Sequence, residues 1–280
     1  MSDTQQSTTR EKQLNPWMTP IAIIIAGVII GGALLFSGVT PANGPEQENR
    51  PTVTLSEDDH ILGNPEHAVL TIIEYSDIEC QFCKKFHFTA HALSEAYGED
   101  IALAFRHFPI DSLHRNARTE AEATECVAEL AGNDAFWTYL DTLFERTTSN
   151  DGLDLALLPD IAEEVGVDRE AFTSCLESDR YGESVTSDEE GGKALGIGGT
   201  PYSIFLLSDG SYYTVNGAYP GDFLALTIET TRGGAPAHIN QGAVDLYAQV
   251  IQRTATEEEL NAYITEYMLP YLPEVTETET

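Results

Sequence analysis

Apolar positions in residues 69–108 follow the pattern of a strand, a helix and a second strand. Residues 69–75 are rich in β-branched and aromatic side chains, which predicts a buried strand. Residues 84–97 carry apolar side chains among good helix formers, and residues 101–108 alternate until Pro109 ends the run. These residues therefore predict a β-α-β unit.

The pattern from residue 112 to about residue 195 is helical throughout. One predicted helix ends at Gly132, and the next begins at Asn133 with Phe136 and later apolar residues on one face. Asp168 is a plausible cap for a further helix. A long helical segment thus follows the β-α-β unit.

The pattern then returns to strands. Residues 203–207 and 211–216 predict a β-hairpin, and a short helix follows from about Asp222. Residues 233–280 form an extension in which residues 256–259 have the sequence of a capping box. We expect the extension to be partly helical and its acidic end to be disordered.

The N-terminal part of the chain predicts a membrane anchor. Residues 17–39 are mostly apolar and long enough to span a bilayer. Arg10 and Lys12 precede this run and no Lys or Arg follows until Arg50, so the globular part should lie outside the cytoplasm. A signal peptide cleaved near residues 40–42 is the alternative. Both interpretations place the globular part where disulfides persist.

The charge of the chain excludes some classes of partner. Its 46 Asp and Glu against 14 Lys and Arg give a formal net charge of −32. Nucleic-acid binding depends on cationic contacts with phosphate, so we expect no nucleic-acid partner. Electrostatic binding to anionic lipid surfaces is disfavoured for the same reason.

A Cys-x-x-Cys motif lies between the first predicted strand and the helix. Cys80 is placed at or just before the helix N-terminus, where the helix dipole and free N–H groups favour a thiolate. A thiolate is the species that attacks disulfides. The two spacer residues allow the sulfur of Cys83 to reach that of Cys80. This context predicts a dithiol/disulfide redox centre.

The motif and a second segment together resemble a known family. Residues 74–86, with the sequence Glu-Tyr-Ser-Asp-Ile-Glu-Cys-Gln-Phe-Cys-Lys-Lys-Phe, and Gly-Gly-Thr-Pro-Tyr at residues 198–202 are similar to those of DsbA-type thiol:disulfide oxidoreductases. The resemblance covers roughly residues 60–231. It implies an α/β fold of the thioredoxin type with an inserted α-helical domain, here preceded by one transmembrane helix.

The resemblance also divides the chain and assigns roles. It implies that Cys80 is the exposed nucleophile, that Cys83 is the buried resolving thiol and that a cis Thr200–Pro201 bond packs against the disulfide. Substrate would contact Thr200 and Pro201 together with the spacer residues Gln81 and Phe82. The predicted segments are a cytoplasmic tail (1–16), the anchor (17–39), a linker (40–56), the thioredoxin-like domain (57–111 and 196–232), the helical insertion (112–195) and the extension (233–280).

Glu74 is an acid in an otherwise apolar predicted strand. It lies six residues before Cys80, where thioredoxin-like proteins keep a buried acid beneath the active site. Burial would raise its pKa and allow it to exchange a proton with Cys83. The alternative is a carboxylate that faces solvent or pairs with Arg106.

The remaining two cysteines lie in the helical insertion. If Cys80 pairs locally with Cys83 in an oxidising compartment, Cys126 and Cys175 are left as partners. We expect them to form a structural disulfide worth roughly 2–4 kcal/mol. Two buried free thiols are the alternative.

Metal binding competes with redox chemistry as an interpretation of the motif. Cys80, Cys83 and His87 make a Cys-x-x-Cys-x-x-x-His, and His107 and His114 are further candidate ligands. Because no second cysteine pair of matching spacing exists, we predict neither a metal nor another cofactor, and a metallochaperone stays the alternative. A redox-inert binding module tethered to the membrane is a third possibility.

The sequence as a whole predicts a single-pass protein of the cell membrane that oxidises thiols of extracytoplasmic proteins. Its substrates would be reduced or misoxidised proteins, and the resemblance implies a membrane quinone-linked partner that restores the disulfide. Gln81 stands where many family members have Pro, and spacer residues tune the redox poise. Isomerase or reductase action through the same site therefore stays open.

Overall fold

The computed structural model describes residues 50–272. The predicted tail, the anchor at residues 17–39, most of the linker and the acidic end lie outside the described residues. The strands are β1 (His60–Leu62), β2 (Leu70–Ser76), β3 (Ile101–His107), β4 (Tyr202–Leu207) and β5 (Tyr212–Asn216). The helices are α1 (Gln81–Tyr97), α2 (Ala117–Ala131), α3 (Asn133–Arg146), α4 (Leu158–Glu164), α5 (Arg169–Glu177), α6 (Gly182–Ala194), α7 (Gly221–Arg232), α8 (Ala237–Ile251) and α9 (Glu257–Tyr263).

The five strands form one mixed sheet in the order β1-β3-β2-β4-β5. Strands β2 and β3 are parallel because α1 crosses between them, and the other pairs are antiparallel. All seven residues of β2 are buried, as expected of a central strand with an apolar run. The predicted strands and hairpin are confirmed. Only β1, three residues long, is absent from the sequence prediction.

Alternate residues of β2 supply two different cores. Ile72 belongs to a large apolar cluster that continues through α1, α7 and the helical insertion. Ile73 and Tyr75 point to the opposite face, into a smaller cluster with Phe108 and Ile204. The sheet is therefore covered on both faces, and Glu74 shares the α1 face with Ile72 by the strand period of two.

Helix α6 packs against the face of the sheet that carries the smaller apolar cluster, and a glycine lies at the point of contact. A Cβ atom at Gly192 would lie 2.9 Å from two ring carbons of Phe108 and 3.0 Å from Cε1 of Tyr75. Any side chain at this position would push the helix away from the two rings. The small residue thus sets the distance between α6 and the sheet.

Helices α2 to α6 make up the inserted segment. The predicted ends of two of them are confirmed, since Gly132 is the C-cap of α2 and Asp168 accepts a hydrogen bond from the backbone N–H of Ala171 at the start of α5. A disulfide joins Cys126 of α2 to Cys175 of α5, with 5.8 Å between the Cα atoms. The covalent link therefore ties two helices of the insertion together.

The C-terminal extension packs on the sheet through α8, a helix that the sequence pattern did not reveal. The side-chain amide of Gln241 accepts a hydrogen bond from the backbone N–H of Thr214 in β5 at 2.9 Å. It also donates to the carbonyl of Thr214 at 3.4 Å. The predicted capping box between Thr256 and Glu259 is present at the start of α9. None of the helices between residues 50 and 272 is long and apolar enough to cross a membrane.

Candidate active site

The two motif cysteines lie at the start of α1, just after the short loop that follows β2. Cys80 is the N-cap of α1, with φ −80° and ψ 119°, and Cys83 lies in the first turn of the helix. Cys83 is fully buried, and Cys80 keeps 8% of its surface exposed. The expectation of an exposed Cys80 was thus too strong. The surrounding loops leave only a small part of this residue accessible, although it is the more exposed of the two.

The surroundings shift the pKa values of the two thiols in opposite directions. A hydrogen bond from the Cys83 thiol, supported by the backbone N–H groups of Cys83 and Phe82, lowers the pKa of Cys80 to about 6 in spite of its burial. Burial raises the pKa of Cys83 well above its ordinary value, and the charges of Cys80 and Glu74 add to this effect. At neutral pH the dithiol form therefore carries its negative charge on Cys80.

A loop from the far end of the insertion approaches the nucleophilic sulfur. The peptide bond between Thr200 and Pro201 is cis, the geometry that the resemblance implied. The carbonyl oxygen of Thr200 lies 3.7 Å from the Sγ of Cys80. Gln81 and Phe82 directly follow Cys80 in the first turn of α1 and are exposed, Phe82 with 58% of its surface. Thr200 thus lies beside the sulfur in space, and the two spacer residues adjoin it along the chain.

Glu74 is buried on the α1 side of the sheet, with 5% of its surface exposed. It accepts a hydrogen bond from the Ser76 hydroxyl at 2.7 Å. The structure excludes both simpler alternatives, because Glu74 does not face solvent and Arg106 pairs with Asp59 at 2.7 Å instead. Because its negative charge contributes to the raised pKa of Cys83, Glu74 is electrostatically coupled to the resolving thiol.

A buried Asp–His pair supports the turn before Cys80, and sequence reasoning missed it. Asp77 accepts a hydrogen bond from the backbone N–H of Ile110 at 2.7 Å, and its carboxylate lies 2.9 Å from Nδ1 of His114. Burial opposes the charged form of His114, but the bond to Asp77 and the charges of Asp77 and Cys80 raise its pKa overall. The charge of a protonated His114 is balanced by the Asp77 carboxylate, so the pair holds the turn in place without adding net charge beside Cys80.

A buried carboxyl pair lies on the other side of the same turn. Glu79 directly precedes the nucleophile and accepts hydrogen bonds from the Thr147 hydroxyl at 2.8 Å and from the backbone N–H of Gly152 at 3.0 Å. Burial, followed by the hydrogen bond and charge of Glu79, raises the pKa of Glu120 to about 10. At neutral pH Glu120 is therefore protonated and buried beside the Glu79 carboxylate. No sequence signal marked this pair, because α2 contains three further Glu residues besides Glu120.

The histidines considered as metal ligands beside the motif do not join the cysteines. His107 lies 3.0 Å from Glu125, and His114 is held by Asp77. His87 points away to Asp141 at 2.6 Å. Across residues 50–272, the grouping of three ligand-type side chains contains neither Cys80 nor Cys83. The arrangement expected of a metallochaperone with cysteine ligands is thus not formed.

Comparison with known proteins decides the family. A sequence profile described as thioredoxin matches residues 55–207, more than half of the chain. The chain belongs to the thioredoxin family. It shares 24% identity with DsbA2 of Pseudomonas aeruginosa, with a TM-score of 0.52 over 61% of this chain and 93% of that one.

Two further solved structures have the same fold. For α-DsbA1 of Wolbachia pipientis the identity is 22% and the TM-score 0.55, over 67% of this chain and 96% of that one. For a protein described as the thiol-disulfide exchange protein α-DsbA2 of the same organism, the values are 19% and 0.51, over 61% and 85%. The DsbA-like form of the thioredoxin fold, implied by residues 74–86 and 198–202, is confirmed.

Much longer proteins contain a related segment. The Na⁺/H⁺ antiporter NhaA 1 of Mycolicibacterium gilvum is 33% identical over 147 residues, which are 52% of this chain and 23% of the antiporter. The corresponding antiporter of Herminiimonas arsenicoxydans is 32% identical over 178 residues, 26% of its length. The chain therefore spans about a quarter of the length of the curated relatives it matches.

Proposed function

We propose that the protein is a thiol:disulfide oxidoreductase that acts on protein substrates through Cys80 and Cys83. One observation carries the proposal: Cys80 is the N-cap of α1 with Cys83 fully buried in its first turn, an arrangement that lowers the pKa of Cys80 to about 6 and raises that of Cys83. One thiol is therefore a stable thiolate at the accessible position, and its neighbour is a protonated, buried thiol. Thiol exchange needs this division between a nucleophile and a resolving group.

In the forward direction the enzyme starts with a disulfide between Cys80 and Cys83. A substrate thiolate attacks the Cys80 sulfur, the S–S bond breaks, and Cys83 leaves with the electron pair and takes up a proton. A second substrate thiolate then attacks the substrate sulfur of the mixed disulfide and releases Cys80 as a thiolate. The substrate loses two electrons, and the enzyme gains them as a dithiol.

The stability of the Cys80 thiolate supports oxidation as the physiological direction. A thiol of low pKa is a good leaving group, and stabilising the reduced form makes the disulfide a stronger oxidant. Glu74 lies on the side of Cys83, and we propose that it exchanges a proton with Cys83 when Cys83 leaves or attacks. Isomerisation and reduction would use the same residues from the dithiol form.

The surface beside the sulfur suits unfolded chains. Phe82 is 58% exposed, and Leu113, next to the His114 that contacts the active-site turn, is 67% exposed. Thr200 and Pro201 place a backbone segment beside Cys80, against which an extended substrate chain would pair. Apolar side chains around an accessible backbone favour reduced, incompletely folded proteins as substrates.

The proposed location is outside the cytoplasm, at the cell membrane. Two observations support it: the apolar run at residues 17–39 with its preceding cations, and the disulfide between Cys126 and Cys175, a bond that persists in oxidising compartments. An oxidase in that location needs an electron acceptor. We assign this role to a membrane quinone-linked partner that oxidises the Cys80/Cys83 dithiol.

The equilibrium potential of Cys80/Cys83 against glutathione tests the direction. We expect a value nearer to about −120 mV than to about −270 mV, together with oxidative refolding of a reduced disulfide protein. A value near −270 mV with fast reduction of substrate disulfides would identify a reductase instead. Absence of exchange in both directions would overturn the proposed activity itself.

A further inference from the structure

A second cluster of reactive side chains lies between α1 and α3. His87 and His91 are one helical turn apart on α1, and Asp141 projects from α3. One nitrogen or oxygen atom from each residue lies within 4.8 Å of the other two. We propose that His87, His91 and Asp141 bind a divalent first-row metal ion of the Zn²⁺ type, at a site separate from the thiols.

The three side chains converge on one point. Nε2 of His87 lies 2.6 Å and Nε2 of His91 lies 3.5 Å from the same Oδ1 of Asp141. Two histidines at positions i and i+4 of a helix present their rings on one face, a spacing used in helical zinc sites. Small side-chain rotations would place an ion about 2.0–2.2 Å from two nitrogens and one oxygen.

Two ring nitrogens of the cluster are not explained by an ion pair alone. The bond to Asp141 satisfies Nε2 of His87, but Nδ1 of the same ring is buried without a hydrogen-bond partner among the described residues. Nε2 of His91 is likewise buried and has no hydrogen-bond partner there, although it faces the Asp141 carboxylate. A buried polar atom without a partner is costly. An ion between the nitrogen and the carboxylate would satisfy both.

Glu74 is placed to orient the first ligand from behind. Its Oε2 lies 3.9 Å from Nδ1 of His87, the ring nitrogen that faces away from Asp141, and a small shift of either side chain would bring the two within hydrogen-bond distance. Metal-bound histidines usually donate their second N–H to a carboxylate, which fixes the tautomer and the ring orientation. Phe144 and Trp137 pack against the rings of His87 and His91, at 4.5 and 5.5 Å between centroids. The ligands are therefore held in place before an ion arrives.

The types of ligand atom determine which ion the site prefers, and the exposure of the side chains determines whether the ion can enter. Two imidazoles and one carboxylate suit Zn²⁺ and its neighbours in the first transition row, whereas Mg²⁺ and Ca²⁺ prefer oxygen ligands. The side chains of Asp141 and His91 are 37% and 18% exposed, so an ion can enter from the surface. Water would complete the coordination.

The test measures binding of Zn²⁺ by calorimetry to the full-length protein, with Co²⁺ as a spectroscopic probe. The protein is used as its Cys80→Ser/Cys83→Ser variant, because free thiols bind the same ions. We expect one equivalent of Zn²⁺ and visible Co²⁺ absorption without a thiolate band. His91→Gln and Asp141→Asn should each weaken binding by at least about tenfold.

Matched controls separate this site from the acidic surface. Glu145→Gln removes one carboxylate from the same face of α3 one turn later, and His238→Gln removes an exposed histidine of α8. Both should leave Zn²⁺ affinity unchanged. The inference is overturned if the parent protein binds no ion, or if the controls weaken binding as much as His91→Gln and Asp141→Asn do.

Folding is checked by thermal unfolding with a chelator present. Variants at His87 are avoided because this residue is fully buried. His91→Gln should unfold like the parent protein in the chelator and lose the stabilisation that Zn²⁺ gives the parent. Since the test uses protein without the active-site thiols, its outcome is independent of disulfide exchange.

Discussion

The two cysteine pairs of this protein have similar burial and opposite chemistry. Cys80 and Cys83 are free thiols with two residues between them, whereas Cys126 and Cys175 form a disulfide across 49 positions. Each of the four is at most 8% exposed. Burial therefore does not decide which pair exchanges. What differs is the polar surroundings and the length of chain that each pair closes.

The active pair lies at a helix N-terminus, beside carboxylates and a histidine. These neighbours give its two thiols unequal pKa values, and the loop it closes is too short to stabilise the fold by much. The other pair joins two helices within an apolar core and closes a long loop. The Cys80–Cys83 pair is therefore suited to disulfide exchange, and the Cys126–Cys175 disulfide is suited to stabilising the fold.

The largest expected effect is on exchange activity. Cys80→Ser should lower disulfide exchange by at least about 1,000-fold, because a hydroxyl does not replace the thiolate. The comparison variant, Cys126→Ser/Cys175→Ser, should keep exchange close to that of the parent at a temperature where it is folded. Insulin reduction and oxidative refolding measure both. Equal losses in the two variants would contradict the division of roles.

The reverse effect is expected for stability. Cys126→Ser/Cys175→Ser should lower the free energy of unfolding by about 2–4 kcal/mol, because the unfolded chain regains the entropy of the opened loop. Reduction of Cys80–Cys83 alone should not lower it, because the proposed oxidant is more stable as the dithiol. Urea unfolding followed by circular dichroism gives both values, and a smaller loss in the double variant than on reduction of the active pair would refute the assignment.

The pH dependence of thiol reactivity distinguishes Cys80 from an ordinary cysteine. Its thiolate forms as the pH rises through about 6, so alkylation of the reduced protein should slow about tenfold from pH 7 to pH 5. An ordinary thiol would still be gaining reactivity well above pH 7. Cys83→Ala should move the midpoint upward, because the Cys83 thiol makes the largest contribution to the shift.

The smallest expected effect concerns Glu74. Glu74→Gln removes the carboxylate that we propose takes the proton of Cys83 when Cys83 attacks, so release of the mixed disulfide should slow by a few fold while the fold stays intact. Rapid-quench analysis of the mixed disulfide measures the step. The exposed Glu95→Gln on α1 is the control, and identical pH profiles for both variants would remove Glu74 from the mechanism.

Local patterns predicted the core of this fold, and the reasons are visible in the structure. The run at residues 69–75 is apolar on both faces because β2 is the central strand. The motif cysteines were found because a short spacing carries their chemistry. β1 escaped prediction because three half-buried residues have no periodicity, and α8 because the preceding glycines and prolines resemble a linker.

The site residues that escaped prediction meet over long sequence separations. Asp77 and His114 are 37 positions apart, and Glu79 contacts Thr147 across 68 positions. Such pairs cannot be predicted from the spacing of residues within a single helix or strand. Glu120 is one of four Glu residues in α2, and the burial and the Glu79 charge that keep it neutral become apparent only in three dimensions.

The amide of Gln241 has a consequence beyond the packing of α8. It occupies both hydrogen-bonding groups of Thr214 at the outer edge of β5, where a free edge would accept a strand from another molecule. The extension thus covers part of the edge strand through which two copies of the protein could pair. This matters for a protein whose proposed substrates are unfolded chains, because these could pair with the same edge. A chain ending at Arg232 would present that edge as a template for aggregation.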